Sequence, residues 1–378
     1  MHCFLYFSFL PILLAQAHRI HTEYTPPNAN CIDYEIPVVV STKGVEWIGP
    51  KRTDNYGLID FVFLSSTRPE ANFTPPVTGP VDINGTYTIS GTFCSPKTKC
   101  EHSNTVLLAT HGLGYDRSYW NSAFEPEKYN FAQYAVDKGY SIFFYDRLGT
   151  GRSSKLSGFV NQISIQVSIL AQLAAQIKAG QYTDTIGPPK KLVLVGHSFG
   201  SFTTQGLVAA APEIADAVIL TGIGFTMQGG VVIESFDLRV AALKDKKWKG
   251  LDNGYVIWDD VYANVNVFFK APLYTIEAVA FSEKNKVPFA ITELITIPTL
   301  NYTATGFKGN VLYFNGEYDI IACGGYCPGV EQQPHALFSG SKAFQSKLQP
   351  NTGHGLNGHK NATAGYKVIT DYLMEQGF

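Results

Sequence analysis

Short apolar runs alternate with helical patterns from about residue 105 to the last residues of the chain. The runs are typical of buried parallel strands, and they begin at Thr105, Tyr140, Leu192, Ala217 and Asn310. Helices are predicted between them over 131–138 and 161–179, the second with Ile165, Ile169 and Leu173 on one face. This alternation predicts an α/β fold with a mostly parallel central sheet and helices on both faces.

Two regions depart from the alternation. Residues 18–100 have a β-rich pattern broken by proline-rich spacers, which predicts a strand meander at the edge of the main sheet. The predicted strands of this region cover 34–40, 58–64 and 86–94. Residues 225–305 are rich in aromatic side chains and separate two core strands, which is where a cap over a binding site would lie. We therefore expect one domain over 18–378 with a cap insertion over 225–305.

A Gly-x-Ser-x-Gly pattern, from Gly196 to Gly200, lies between the strand that begins at Leu192 and a helix predicted over 201–211. A sharp strand-to-helix turn would hold Ser198 in strained backbone geometry, and glycines flank it because side chains there would clash. The hydroxyl would then stand clear of the sheet as a nucleophile, and the Phe199 N–H would face the same point. A glycine-rich turn with an unreactive serine is the alternative interpretation.

A serine nucleophile needs a base, and the base needs an orienting acid, in the chain order Ser, acid, His for this type of turn. Asp319 follows a predicted strand, at the carboxyl end where sites of open α/β sheets form. His354 lies between two glycines in a loop before the last helix, so it is the predicted base. Glu317 is the alternative acid, and His359 is the alternative base.

The loop after the strand at Thr105 reads His111-Gly-Leu-Gly114 and provides a second candidate oxyanion donor. An oxyanion hole needs two backbone N–H groups, one beside the nucleophile and one from a neighbouring loop. We expect Leu113 and Phe199 to supply them. His111 precedes Ser198 in the chain and fits a structural role better than a catalytic one.

The composition favours a large core and argues against some partners. Hydrophobic residues make up 45% of the 378 residues and charged residues 16%, with a net charge of −2. This balance argues against a nucleic acid or an anionic membrane as a partner. Residues 1–17 carry an apolar run that ends in Ala15-Gln16-Ala17, which predicts a cleaved signal peptide. No later run is long and apolar enough to predict an integral membrane segment.

Sequons and cysteines also favour a secreted glycoprotein. Candidate glycosylation sites occur at Asn72, Asn84, Asn301 and Asn361. Two closely spaced cysteine pairs predict local disulfides in an oxidising compartment, namely Cys94 with Cys100 and Cys323 with Cys327. Cys31 is left over. These spacings do not fit a metal site, and we expect neither a metal nor a cofactor.

These motifs together resemble those of secreted fungal α/β-hydrolases of the broad fold-1 type. The resemblance rests on the His111 loop, the Tyr145–Gly151 segment, the Ser198 turn, Asp319 and His354, and it covers residue 100 to the end. It implies the α/β-hydrolase fold and a Ser-His-Asp triad, but it does not choose a substrate. Dehalogenases and epoxide hydrolases of this fold would carry an aspartate at position 198.

The sequence therefore predicts a secreted serine esterase that acts on a small-molecule carboxylic ester through an acyl-enzyme. The aromatic insertion favours an apolar acyl or aryl ester. An acyltransferase, a lactonase, a peptidase and a secreted binding protein without turnover are the alternatives. Nothing in the sequence indicates an oligomeric state.

Overall fold

The computed structural model describes residues 24–68, 70, 72–225 and 233–378. The signal peptide predicted over 1–17 lies outside these ranges. The strands are β1 (Ala29–Trp47), β2 (Val77–Pro96), β3 (Thr105–Thr110), β4 (Ser141–Tyr145), β5 (Lys191–His197), β6 (Ala217–Thr221), β7 (Leu238–Val240), β8 (Tyr255–Trp258), β9 (Phe289–Ala290), β10 (Asn310–Gly316) and β11 (Ala343–Gln349).

The helices connect these strands and cover both faces of the main sheet. They are α1 (Asn55–Ser65), α2 (Pro126–Tyr129), α3 (Phe131–Asp137), α4 (Ile163–Lys178), α5 (Phe199–Ala210), α6 (Ala241–Lys244), α7 (Val261–Phe268), α8 (Ile276–Lys284), α9 (Ile291–Ile295), α10 (Ile320–Cys323) and α11 (Ala362–Glu375). Short 3₁₀ turns lie between several of them.

An eight-stranded sheet in the order β1-β2-β4-β3-β5-β6-β10-β11 forms the centre of the molecule. The strands from β4 to β11 in this order are parallel, whereas β1 and β2 pair antiparallel at one edge. Ile169 of α4 and Leu207 of α5 belong to the apolar core on one face, and Phe131 of α3 and Ile369 of α11 to the core on the other. The predicted α/β architecture is confirmed.

One predicted strand of the N-terminal region is wrong, because residues 58–64 lie in helix α1. Asp54 caps this helix by accepting a hydrogen bond from the Gly57 N–H at 2.8 Å. Leu58, Phe61 and Val62 are its buried residues, at the i, i+3 and i+4 spacing of one helix face. The apolar run, broken only by Asp60, fitted a strand equally well, and the Asp54 cap accompanies the helix instead.

The insertion between β6 and β10 has a small sheet of its own. Strands β7, β8 and β9 pair antiparallel in that order, and α7, α8 and α9 accompany them. Trp258 of β8 packs on Phe268 of α7 with ring centroids 5.1 Å apart, so aromatic residues do form much of the insertion's core. Its action as a cap stays a prediction.

The disulfide predicted between Cys94 and Cys100 is wrong. Cys94 is bonded to Cys31, because the register of β1 and β2 places these two residues directly opposite each other with Cα atoms 4.1 Å apart. Cys100 is the free cysteine of the described ranges. Cys323 and Cys327 are joined, as the sequence predicts, with Cα atoms 5.2 Å apart.

The candidate glycosylation sites differ in accessibility. Asn72, Asn84 and Asn301 are exposed, whereas Asn361 is half-buried. The Asn361 side-chain amide donates to the Pro350 carbonyl oxygen at 3.0 Å, so this sequon is already engaged in a loop. Across the described residues, no helix combines the length and apolar character that a membrane crossing requires.

Candidate active site

The loops that follow β3, β5, β10 and β11 carry the residues predicted for the site. Leu113 follows β3, Ser198 follows β5, Asp319 follows β10 and His354 follows β11. These strands are parallel, so their carboxyl ends lie along one edge of the sheet. Residues far apart in the chain thus meet in one place.

Ser198 occupies a strained turn between β5 and α5. Its backbone has φ 55° and ψ −120°, in the left-handed half of φ space that a non-glycine residue rarely adopts. A Cβ at Gly200 would lie 2.2 Å from the Thr110 carbonyl oxygen, and one at Gly196 would lie 2.6 Å from the Ser201 Cα. Both flanking positions must therefore be glycine for the turn to pack.

Asp319 and His354 form a fully buried pair. The His354 Nδ1 lies 2.8 Å from Asp319 Oδ2 and 3.0 Å from Oδ1. Asp319 also caps helix α10, since its Oδ1 accepts from the N–H groups of Ile321 at 2.9 Å and Ala322 at 2.8 Å. These donors hold the carboxylate in one orientation, so that it fixes the imidazole with Nδ1 protonated.

The other ring nitrogen of His354 is available. Its Nε2 is buried and has no hydrogen-bond partner among the described residues, so a bond from the Ser198 hydroxyl is not formed. The His354 ring lies 4.9 Å from the ring of His197, the neighbour of Ser198, and 5.7 Å from the ring of Phe268. The structure thus brings Asp319 and His354 into contact beside the Ser198 turn.

His359, the alternative base, has both ring nitrogens engaged by the backbone. Its Nε2 accepts from the N–H groups of Lys270 at 3.0 Å and Gly353 at 3.2 Å, and its Nδ1 donates to the Gly355 carbonyl at 2.9 Å. Burial lowers the pKa of His359 to about 4. A neutral His359 therefore holds the loop that carries His354.

Glu317, the alternative acid, is likewise engaged elsewhere. Its Oε2 accepts a hydrogen bond from the Asn351 N–H at 2.7 Å. The carboxylate in contact with His354 is that of Asp319. Glu317 therefore stabilises the loop after β11.

The peptide that joins Gly112 to Leu113 is held from one side. The Gly112 carbonyl accepts from His111 Nδ1 at 2.9 Å and from Arg147 Nη2 at 3.3 Å. In a trans peptide the N–H points opposite to the carbonyl, so these donors turn the Leu113 N–H away from Arg147. Leu113, Phe199 and Ser198 line the same cavity, and Phe199 is the first residue of α5, where the helix leaves an N–H without an internal acceptor.

Residues 106–290 match the Alpha/beta hydrolase family. The chain has the α/β-hydrolase fold. None of the curated proteins matches it. Among solved structures of the fold, a thermophilic esterase from Thermogutta terrifontis is similar, with 14% identity and a TM-score of 0.53 over 81% of this chain and 97% of that one.

Two further structures show the same α/β-hydrolase fold. An esterase from Exiguobacterium antarcticum has 13% identity and a TM-score of 0.55, over 76% of this chain and 96% of that one. A hydrolase from Pseudomonas aeruginosa has 13% identity and a TM-score of 0.52, over 77% and 95% of the two chains. At such identities these structures establish the fold of the chain.

Above this edge of the hydrolase fold lies a cavity of about 370 Å³. Ser198, Leu113 and Phe199 form its base, and Phe236 and Phe268 of the insertion contribute to its walls. No charged side chain is among the described residues that line it. Among the residues that the structure describes, no group of three or more His, Cys, Asp and Glu side chains is placed to hold a metal ion.

An ion pair that sequence reasoning missed ties this candidate site to the insertion. Arg147, fully buried, bonds Glu293 of α9, and its guanidinium lies 4.6 Å from the centre of the Phe199 ring. Glu293 also accepts from Gln166 Nε2 at 3.0 Å. Burial raises the pKa of Glu293, and the guanidinium opposes that effect. The segment around Arg147 was visible in the sequence, but nothing there indicated its distant partner.

Proposed function

We propose that the protein is a serine hydrolase that cleaves a carboxylic ester with an apolar acyl or aryl group. The observation that carries this proposal is the buried Asp319–His354 pair, whose imidazole lies beside the strained Ser198 turn with an Nε2 that has no hydrogen-bond partner among the described residues. A nucleophile, a base and an orienting acid are the minimum set for acyl transfer through a covalent intermediate.

In the first half of the proposed reaction, Ser198 Oγ attacks the ester carbonyl carbon while His354 Nε2 accepts the hydroxyl proton. Asp319 keeps the imidazole in the correct tautomer and stabilises the imidazolium that forms. The N–H groups of Leu113 and Phe199 donate to the oxyanion of the tetrahedral intermediate. Collapse breaks the ester C–O bond, and His354 gives its proton to the leaving alcohol oxygen.

In the second half, water replaces the alcohol. His354 Nε2 takes a proton from the water as its oxygen attacks the acyl-enzyme, and the same N–H groups hold the second oxyanion. Collapse releases the carboxylic acid and returns the proton to Ser198 Oγ. The reaction requires the Ser198 side chain to turn toward His354, a tightening that is common when substrate binds.

The apolar cavity supports the proposed substrate class. Its lining is aromatic and aliphatic apart from serine hydroxyls, so a charged acyl group would lose its hydration without gaining a partner. We also infer that the mature protein is exported and glycosylated. The A-x-A site at residue 17, the exposed sequons at Asn72, Asn84 and Asn301, and the Cys31–Cys94 bridge support this inference.

A panel of esters and amides, assayed with the purified mature chain, tests the proposed function. We expect turnover of neutral p-nitrophenyl esters, little turnover of matched anilides, and carboxylic acid as the product even when a competing alcohol is added. Accumulation of the transesterified product would identify an acyltransferase. Equal rates on esters and on peptide amides would contradict the esterase assignment.

A further inference from the structure

The N-terminal region supplies one wall of the cavity above Ser198. Phe61 and Ser65 of α1, Ser66 just after it, and Phe73 and Pro76 from the loop before β2 line the cavity. The match to the Alpha/beta hydrolase family begins at residue 106, so this wall lies outside the matched region. It is a feature of this chain that the family match does not explain.

The surface that this wall presents is more apolar than its sequence indicates. The Ser65 hydroxyl donates to the Phe61 carbonyl at 2.7 Å, and the Ser66 hydroxyl bonds the Val62 carbonyl. Both hydroxyls are therefore engaged, that of Ser65 by the backbone of its own helix and that of Ser66 by the Val62 carbonyl or the Glu234 carboxylate. What remains toward the cavity is methylene and aromatic surface, which favours a hydrocarbon ligand.

The wall is fixed to both the sheet and the insertion. The ring of Phe61 packs edge-on against Trp47 of β1 at 5.8 Å between centroids. The Asn55 side chain accepts from the Val240 N–H of the insertion at 2.9 Å, and Ser66 Oγ lies 3.0 Å from Glu234 Oε1. Because the wall is anchored on two sides, its distance from Ser198 is fixed. This distance limits the length of a group that can bind in the cavity.

In the proposed reaction the cavity serves the acyl side of the reacting bond. Its described lining includes Ser198 and the oxyanion donors Leu113 and Phe199, but not His354. In the proposed reaction the leaving alcohol departs toward His354, which protonates it, while the acyl group stays attached to Ser198. The space beside the oxyanion donors is therefore the space for the acyl chain.

We propose that α1 and the described residues 72–76 before β2 form an acyl-length selector, and that the substrate is an ester of a medium- or long-chain aliphatic acid. This inference rests on the proposed function, because it deepens the substrate class of the same site. It predicts that kcat/KM rises along a p-nitrophenyl series from acetate to dodecanoate until the acyl chain reaches the wall.

Two substitutions in the wall test the selector. Ser65→Phe fills the cavity at the wall, and we expect kcat/KM for the dodecanoate to fall by roughly tenfold or more while that for the acetate stays within about twofold. Phe73→Ala removes apolar contact from a half-buried loop residue, so it keeps the fold even if the first variant misfolds. We expect a loss of roughly ten- to a hundredfold on the dodecanoate, again with little change on the acetate.

Asp60→Phe is the matched control, since it adds the same ring to an exposed position of α1. Its chain-length profile should equal that of the wild type. Unchanged profiles in both wall variants, with turnover that still depends on Ser198, would overturn the selector and leave the proposed function standing. Ester turnover that survives Ser198→Ala would instead overturn the proposed function, and the selector with it.

Discussion

His354 and His359 lie in one loop, but their ring nitrogens are bonded in different ways. Among the described residues nothing bonds the Nε2 of His354, whereas the Nε2 of His359 accepts from two backbone N–H groups. The order of Ser198, Asp319 and His354 along the chain led to the prediction that His354 is the base. The role of His359 could not be predicted, because Lys270, which donates to His359, lies in the insertion and is brought there only by the fold.

Replacing each histidine separates these roles. We expect His354→Ala to lower kcat by roughly 10⁴- to 10⁶-fold, as much as Ser198→Ala, because the two residues act as one unit. His359→Gln should retain most of the turnover at low temperature but lower the Tm, since backbone donors of the loop lose their acceptor. Steady-state kinetics and thermal unfolding of both variants measure the difference. Normal turnover by His354→Ala, together with loss of turnover by His359→Gln, would identify His359 as the base.

His359 also makes the stability of the fold depend on pH. Burial holds the pKa of His359 at about 4, against about 6.5 in the unfolded chain, so below pH 6.5 the unfolded chain takes up a proton that the folded chain does not. The free energy of unfolding therefore falls as the pH falls, by about 2 kcal/mol from this group between pH 7 and pH 5. Urea unfolding at both pH values should show a smaller loss in His359→Gln than in the wild type. Equal losses would show that His359 is not held neutral by the fold.

At the scale of elements, helix α1 shows where hydrophobic pattern alone fails. The run from Leu58 to Leu64 contains apolar residues at both strand and helix spacing, so the pattern fits either structure. Asp54 was the local signal for a helix start, and the burial of Phe61 under the cavity fixes the choice. The pairing of Cys94 with Cys31 rather than Cys100 likewise follows from the register of β1 and β2, which no local spacing indicates.

The Arg147–Glu293 pair links the loop of Leu113, helix α5 and helix α9, so its substitution should affect stability and turnover separately. Arg147→Met leaves Glu293 buried without its cation, which we expect to cost about 3–5 kcal/mol of the free energy of unfolding. Adding Glu293→Gln removes the unpaired charge and should recover much of that stability. The double variant should still turn over esters about tenfold more slowly, since the Gly112 carbonyl has lost a donor that orients the Leu113 N–H.

Denaturant unfolding and ester kinetics of the two single variants and the double variant measure this separation. Glu293→Gln alone is the control for the insertion side of the pair. Full recovery of both stability and kcat in the double variant would show that Arg147 serves the fold only. A single Arg147→Met variant as stable as the wild type would contradict the buried ion pair itself.

At the scale of the whole molecule, the parallel sheet was predictable and the cavity was not. Buried apolar runs identified β3, β4, β5, β6 and β10, because strands covered on both faces leave a clear pattern. The cavity over Ser198 is assembled from the N-terminal helix, the core loops and the insertion, which are far apart in the chain. Only the completed fold brings these parts together, so the cavity has no local signature in the sequence.

Ser198 is the proposed nucleophile of a serine hydrolase, and every proposed step depends on it. The most direct measurement is the reaction of the folded mature protein with a fluorophosphonate probe, followed by intact and peptide mass spectrometry. We predict one adduct per chain, located on Ser198, and none on the Ser198→Ala variant, which should also lose ester turnover. An adduct on another serine, or normal ester turnover by Ser198→Ala, would show that Ser198 is not the nucleophile.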